Sequence, residues 1–153
     1  VTVQDNRILE AVAMHAEKPL DLNLMYHFMH PWVLDMSHFL AEKRDGTTLE
    51  GRFVDDKGMK VCAPVNWSAV FSESLGKGAV TLVEQVPEDM AWEVRYWDMP
   101  GSYRKHYFTV FSNATVEPGR TFEYRVLTVP FSAAAGVWQA TAKDVVAKAA
   151  AKL

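Results

Sequence analysis

Residues 121–129, TFEYRVLTV, show a strict alternation of side chains that decides the fold class. In an extended chain, successive side chains point to opposite faces. One face therefore carries Phe122, Tyr124, Val126 and Thr128. The other face carries Glu123, Arg125 and Leu127. A period of two over nine residues rich in aromatic and β-branched side chains predicts a β-strand.

The same composition extends upstream from this strand. Three further strand segments are Ala79–Val86, Ala91–Trp97 and His106–Ser112. Turn chemistry separates them, at Pro87-Glu88-Asp89, Pro100-Gly101-Ser102 and Glu117-Pro118-Gly119. Still earlier segments are the pair Phe39–Lys43 and Thr47–Phe53 around the turn Asp45-Gly46, then Met59–Ala63, and Leu22–Phe28, which ends at His30-Pro31. Residues 8–16 fit both a helical stripe, Ile8, Leu9, Val12, Ala13 and Ala16, and a strand alternation, Ile8, Glu10, Val12 and Met14. The neighbouring strands favour a strand there. Short strands at this spacing predict an antiparallel sandwich or a strongly curved sheet.

The last part of the chain changes character. Residues 132–153 are rich in alanine, which favours helix. Apolar side chains recur there at helical spacing, at Val137, Trp138, Thr141, Val145 and Ala149. We predict an amphipathic helix over residues 136–151. The fold class is therefore mainly β, an antiparallel β-sandwich with a C-terminal amphipathic α-helix, in one domain over residues 1–153.

Composition excludes several classes of function. The 153 residues are 49% hydrophobic and 23% charged, which excludes a disordered chain. A net charge of −3 with dispersed basic residues gives no reason to expect a nucleic-acid partner. No apolar run approaches the roughly 20 residues of a membrane helix, so no membrane partner is expected. Cys62 is the only cysteine, which excludes an internal disulfide and a cysteine-based zinc site.

Residues 25–39, MYHFMHPWVLDMSHF, hold the densest group of candidate functional side chains. His27, His30, His38 and Asp35 are residue types that bind zinc, iron or manganese. On a regular strand, however, His27 and His30 point to opposite faces, and only a bend at His30-Pro31 would bring them together. The alternative is a set of half-buried histidines on a sheet. No metal and no cofactor is predicted.

A second group combines aromatic rings with polar side chains. Sugar rings stack on flat aromatic faces, and their hydroxyls bond to Arg, His and carboxylate groups. Trp32 follows a proline and Trp67 lies between Asn66 and Ser68, so we expect these two rings at the surface. The predicted ligand-binding residues are His27, His30, Trp32, His38, Trp67, Arg104 and His106. The alternative is that the tryptophans fill the core. A catalytic pair of carboxylates is also possible, but the sequence does not show which two would lie together. The candidates are Glu50, Asp55, Asp56, Glu84, Glu93, Asp98 and Glu123.

Residues 105–131, KHYFTVFSNATVEPGRTFEYRVLTVPF, resemble the late strands of galactose-mutarotase-like domains. The resemblance lies in a strand, a connection ending in Glu-Pro-Gly-Arg, and a returning strand that closes in Pro-Phe. It implies a β-supersandwich of the kind found in aldose epimerases and in modules of carbohydrate-active enzymes. Such domains are about twice this length, so the resemblance implies a fragment or a half of a larger supersandwich. It also implies a His acid and a Glu base, and strand context alone offers His30 and Glu84.

Three functions stay open at this point. The first is a module that binds or processes carbohydrate on a concave sheet face. The second is a helix-grip carrier, in which a curved sheet closes on the C-terminal helix around an apolar cavity lined by aromatics and by Met25, Met29 and Met36. The third is a structural or assembly domain that pairs with another chain or with a second copy. Two stacked sheets would favour the first function, and one sheet wrapped on the helix would favour the second.

Overall fold

The computed structural model describes residues 1–87, 91–110 and 113–151. The predicted turn residues Glu88 and Asp89 and the predicted strand residues Phe111 and Ser112 lie outside this part of the chain. Strands make up 59% of the structure and helix 11%. Within the described residues the strands are β1 (Thr2–Gln4), β2 (Arg7–His15), β3 (Leu20–Leu22), β4 (Met25–Trp32), β5 (His38–Lys43), β6 (Thr48–Arg52), β7 (Met59–Ala63), β8 (Val65–Ser72), β9 (Lys77–Gln85), β10 (Trp92–Met99), β11 (Tyr103–Val110), β12 (Ala114–Val116) and β13 (Thr121–Ser132). A single 3₁₀ turn, Ala135–Val137, leads into helix α1 (Trp138–Ala150).

The strands form two large antiparallel sheets and one small one. The larger sheet has seven strands in the order β1-β2-β13-β9-β8-β5-β6. The second sheet has four strands in the order β4-β11-β10-β7, and β12 pairs with β3. The predicted mainly β, antiparallel fold with a C-terminal helix is confirmed.

The two large sheets pack face to face over an apolar core. Alternate residues of the seven-stranded sheet, such as Phe39, Val70 and Val126, meet alternate residues of the four-stranded sheet, such as Val94 and Phe108. All five are buried. The alternation found in the sequence therefore reflects a real division of each strand into two faces.

Helix α1 packs on the opposite face of the seven-stranded sheet and forms a third layer. Its Trp138 ring stacks on Phe71, with ring centroids 5.2 Å apart and planes 2° apart, and Phe71 stacks in turn on Phe131. The buried helical residues are Trp138, Ala142 and Ala149. Val137, which the predicted stripe includes, is 54% exposed because it precedes the helix in the 3₁₀ turn.

Two strands differ from the sequence expectation. Strand β4 runs through Pro31 to Trp32, because β4 is an edge strand and a proline there removes no ladder bond from a second neighbour. The ends of β8 could not be predicted from an alternation of polar and apolar residues. Both faces of β8 are covered, and every one of its residues except Asn66 is buried. Among the described residues, no helix has the length and apolar character needed to cross a membrane.

Candidate functional site

Two of the predicted histidines face the interior of the sandwich together. His27 lies opposite Phe108 and His30 lies opposite His106 in the pairing of β4 with β11. His27 and His30 are three residues apart on β4, whereas their partners on β11 are two residues apart, so β4 carries one extra residue here. Phe28, between the two histidines, adopts a φ of 51°. The extra residue is a β-bulge, which turns His27 and His30 to the same face. The expectation of opposite faces is wrong, and the irregularity lies before His30 rather than after it.

A polar chain, the interior polar network, crosses the core and consists of Glu10, His30, His106, Tyr96 and Ser68. His30 Nε2 lies 2.6 Å from Glu10 Oε2, and this contact joins the two sheets at one side. The hydroxyl of Tyr96 donates to Ser68 Oγ at 2.9 Å and joins them again further in. The His106 ring lies between, with its centroid 5.3 Å from that of His30 and 4.5 Å from that of Tyr96. Two hydrogen bonds therefore join the sheets, and the His106 ring between them contacts its neighbours only through its ring, since neither of its nitrogens has a hydrogen-bond partner among the described residues.

The network is closed to a ligand over most of its length. His106 is fully buried, and burial together with the neighbouring His30 holds its pKa well below the ordinary value. His106 is therefore neutral near pH 7. Only the side chains of Glu10 and His30 reach the surface, with 20% and 18% of their area exposed. The network is part of the core with one exposed end.

Arg104 is held by the protein itself. Its guanidinium forms ion pairs with Asp98 and Asp55, and it also donates to the carbonyls of Met36 and Leu34. Arg104 is 7% exposed and Asp98 is fully buried. Arg104, which the sequence analysis predicted to bind a ligand, is therefore almost fully buried and bonded to acceptors of the protein itself.

Trp32 is the predicted surface ring that keeps some exposure. It lies at the end of β4 opposite Arg104, half-buried against the core, and its ring centroid lies 5.9 Å from that of His30. It therefore borders the exposed end of the interior polar network.

His38 and Trp67 lie on the other face of the seven-stranded sheet, beneath α1. The His38 ring lies 5.8 Å from the Trp138 ring, and burial together with nearby Arg52 lowers its pKa. Trp67 is 4% exposed and packs in the core between helix and sheet, so the expectation of an exposed ring there is wrong. Five of the seven predicted ligand residues therefore lie between the two large sheets. The other two, His38 and Trp67, lie between the seven-stranded sheet and α1.

A concave site, the helix–sheet groove, lies between α1 and the seven-stranded sheet. Its volume is about 680 Å³, within the usual range for small-molecule sites. The helix contributes Lys143, Val146, Ala147 and Ala150 to its lining. The sheet contributes Glu42, Asn66, Trp67, Leu82, Val83, Glu84 and Arg125.

Two β-bulges place polar side chains in this groove. Glu42 pairs with Trp67 and Lys43 with Val65, which leaves Asn66 as the extra residue of β8. Val126 pairs with Val83 and Arg125 with Gln85, which leaves Glu84 as the extra residue of β9. Bulges re-aim side chains at the ends of sheets and beside functional sites. Both irregularities lie at the same end of adjacent strands, so Asn66 and Glu84 line one groove.

The polar groups of the groove differ in how far they are already bonded. Asn66 donates to Glu42 Oε1 at 3.0 Å and accepts from the Arg44 guanidinium at 3.1 Å. Glu84 Oε1 is buried and has no hydrogen-bond partner among the described residues. Burial raises the pKa of Glu84, and the positive charge of Arg125 opposes that rise. Glu84 is therefore a carboxyl group with spare hydrogen-bonding capacity at the floor of a groove.

Sequence reasoning missed most of this site. Glu84 stood among seven unpaired carboxylates, and Glu42, Arg125 and Lys143 were not singled out at all. A one-residue slip between strands leaves no mark in a single sequence, because the slip depends on the partner strand. Among the described residues, no group of three or more His, Cys, Asp or Glu side chains is arranged to hold a metal ion.

No family model, curated protein or solved structure matches the chain. The chemistry of the site therefore has to be argued from its geometry.

Proposed function

We propose that the chain is a carbohydrate-binding β-sandwich module and that the helix–sheet groove is its ligand site. The observation that carries this proposal is the pair of bulges that turn Asn66 and Glu84 into one groove. A bulge interrupts the ladder and costs pairing, so two of them at one end of adjacent strands suggest a selected arrangement.

The chemistry of the groove suits a sugar. Sugar hydroxyls both donate and accept hydrogen bonds, so they need acceptors and donors at short range. Glu84 supplies acceptor atoms, and Arg125 and Lys143 supply donors. The apolar wall of Val146 and Ala147 suits the C–H face of a sugar ring. Trp67 serves as floor, because too little of its ring is exposed for stacking.

This placement differs from the residues that the sequence suggested. Trp67 is the one predicted ligand residue that lines the groove. His27, His30, Trp32, Arg104 and His106 lie between the sheets, and His38 lies beside Trp138. The proposed ligand class stays the same, and the proposed site moves to the other face of the seven-stranded sheet.

The galactose-mutarotase-like resemblance stays a proposal of the same kind. Two stacked antiparallel sheets and a late returning strand are compatible with it. The structure pairs His30 with Glu10 rather than with Glu84, which faces the helix. We therefore extend the resemblance to sugar binding and not to ring-opening catalysis.

The helix-grip carrier is the second candidate function, because the same groove lies under the C-terminal helix. An apolar ligand would use the wall of Val146, Ala147 and Ala150. The methionines expected to line its cavity do not do so. Met36 is buried between the sheets, Met25 packs at one end of the sandwich, and Met29 is 47% exposed.

The assembly domain is favoured by exposed apolar side chains on the edge strands of the four-stranded sheet, Tyr26, Met29 and Met59. Light scattering of the purified chain tests it. A stable dimer that Met29→Ser and Met59→Ser dissociate would support assembly. A monomer at high concentration would count against pairing with a second copy.

Isothermal titration against a panel of oligosaccharides tests the carbohydrate proposal. Glu84→Gln and Asn66→Ala should each weaken binding about tenfold or more, because each removes a charged or buried hydrogen-bond partner. The matched control is Glu17→Gln, an exposed carboxylate outside the groove that should bind like the unmodified chain. Binding of a fatty acid or an aromatic probe in place of any saccharide would favour the carrier. Saccharide binding that both groove variants leave intact would remove the groove from the proposal.

A further inference from the structure

A second depression continues the helix–sheet groove across β13 and β2 towards β1. Its volume is about 450 Å³, and Arg7, Leu9 and Leu127 are among the residues that line it. Glu84 and Arg125 line both depressions. Arg125 therefore lies where the two meet, and a ligand longer than one sugar ring would pass over its guanidinium.

Three basic side chains along the two depressions form no ion pair with a described carboxylate. Among the described residues, no hydrogen bond or salt bridge joins Arg7, Arg125 or Lys143 to a carboxylate. Their state contrasts with that of Arg104, which is fully engaged with Asp98 and its neighbours. Arg125 acts on Glu84 only through its charge, so the N–H groups of these three side chains remain available as donors to an anion.

The acidic side chains of the path set a limit on how much negative charge it can take. Glu42 accepts from Asn66, Glu84 lies at the floor, and Asp5 lines the far end. Three carboxylates against three cations leave the path with no large excess of positive charge. A densely sulfated or phosphorylated polymer would meet more repulsion from these carboxylates than a ligand with a single negative charge.

We propose that the groove recognises a saccharide that carries a carboxylate, a uronic acid residue, and that Arg125 pairs with that carboxylate. This inference rests on the proposed carbohydrate-binding function and names its ligand class. The planar guanidinium fork matches the two oxygens of a carboxylate, which a point charge such as an ammonium group does not. Glu84, beside Arg125, accepts hydrogen bonds from the hydroxyls of the same or the adjoining ring.

Calorimetric titration with matched saccharides tests the inference. The probes are oligogalacturonate, oligomannuronate and oligoglucuronate, each paired with the neutral oligosaccharide made by reducing its carboxyl groups, and a sulfated oligosaccharide as a third arm. At least one uronide should bind about tenfold or more tightly than its neutral partner, because a hydrogen bond to a charged group is lost on reduction. The preference should weaken as salt is added, since the exposed guanidinium is screened.

Arg125→Gln should abolish this preference, so that the uronide and its neutral partner bind the variant with equal affinity. Arg52→Gln is the matched control, because Arg52 lies on the far edge strand β6 and should leave the preference intact. Equal binding of uronide and neutral partner would overturn the inference and leave the proposed function standing. Tighter binding of the sulfated arm would overturn the choice of carboxylate. Absence of binding by every saccharide would overturn the proposed function itself, and the inference with it.

Discussion

The guanidinium of Arg104 shows how much of this protein depends on single buried polar residues. It joins Asp98 of β10, Asp55 of the β6–β7 connection and two carbonyls that precede β5. Asp98 also accepts from the backbone of Asp55 at 2.6 Å, so the loop, the strand and the arginine are tied together. Removing one partner from such a group strands a buried charge, which costs more than the pair contributes when intact.

We therefore expect Arg104→Ala to destabilise the protein by about 3–5 kcal/mol. Arg52→Ala is the control, because Arg52 is an exposed arginine whose ion pair with the exposed Glu73 is long, at 3.7 Å. That change should cost less than about 1 kcal/mol. Urea unfolding followed by tryptophan fluorescence measures both. Equal midpoints for the two variants would contradict a structural role for Arg104.

Gly78 offers a second test at the residue scale. A Cβ atom there would lie 2.6 Å from the carbonyl oxygen of Val70 and 2.5 Å from the ring of Phe131. The backbone oxygen cannot move without disturbing the pairing of β8 with β9. We expect Gly78→Ala to cost about 1–3 kcal/mol. Gly136→Ala, where a Cβ meets nothing within 4 Å, should leave the melting temperature almost unchanged. Similar melting temperatures for both variants would contradict the tight packing of Gly78.

At the scale of elements, helix α1 depends on the sheet for its order. It has thirteen residues, no side-chain cap at its start and one ion pair within itself, between Lys148 and Asp144. An isolated helix of that length is marginal in water. The ring stack of Trp138, Phe71 and Phe131 holds its first turn to the sheet. The same contact forms one end of the layer in which the helix–sheet groove lies.

Trp138→Ala should destabilise the protein by about 3–5 kcal/mol, because it opens a large cavity in that layer. The neighbouring change Val137→Ala should cost less than about 1 kcal/mol, since Val137 is 54% exposed. Differential scanning calorimetry of both variants measures the difference. If Trp138→Ala unfolds at the same temperature as the unmodified chain, the helix contributes nothing to the stability of the sheet.

At the scale of the whole molecule, histidines in different layers respond to pH in the same direction. His106 lies between the sheets, His27 lies near Tyr124 at one end of the sandwich, and His38 lies under α1. Burial lowers the pKa of each below the ordinary value. The unfolded chain therefore binds more protons than the folded chain once the pH falls below the unfolded pKa of about 6.5.

Protonation therefore favours the unfolded chain. The free energy of unfolding should decrease progressively as the pH falls through about 6.5. Melting temperatures measured from about pH 8 to about pH 5.5 should fall towards the acid end. His38→Asn should make the melting temperature depend less on pH, because it removes one of the three histidines whose pKa is lowered by burial. A melting temperature that rises on acidification over this range would contradict the assigned burial of the histidines.

The sequence by itself determined the local elements of this protein. The alternation around Tyr124 and Val126, the turn residues and the alanine-rich end predicted the strands, their antiparallel arrangement and the C-terminal helix, because each depends on neighbours along the chain. The tertiary structure alone decided where the chemistry lies. The bulges at Phe28, Asn66 and Glu84 exist only relative to partner strands. Each one-residue slip reverses the face that a side chain presents. The slip is set by packing between strands and sheets, so a pattern read along one chain placed the Trp67 ring at the surface and could not show which polar side chains line the groove under the helix.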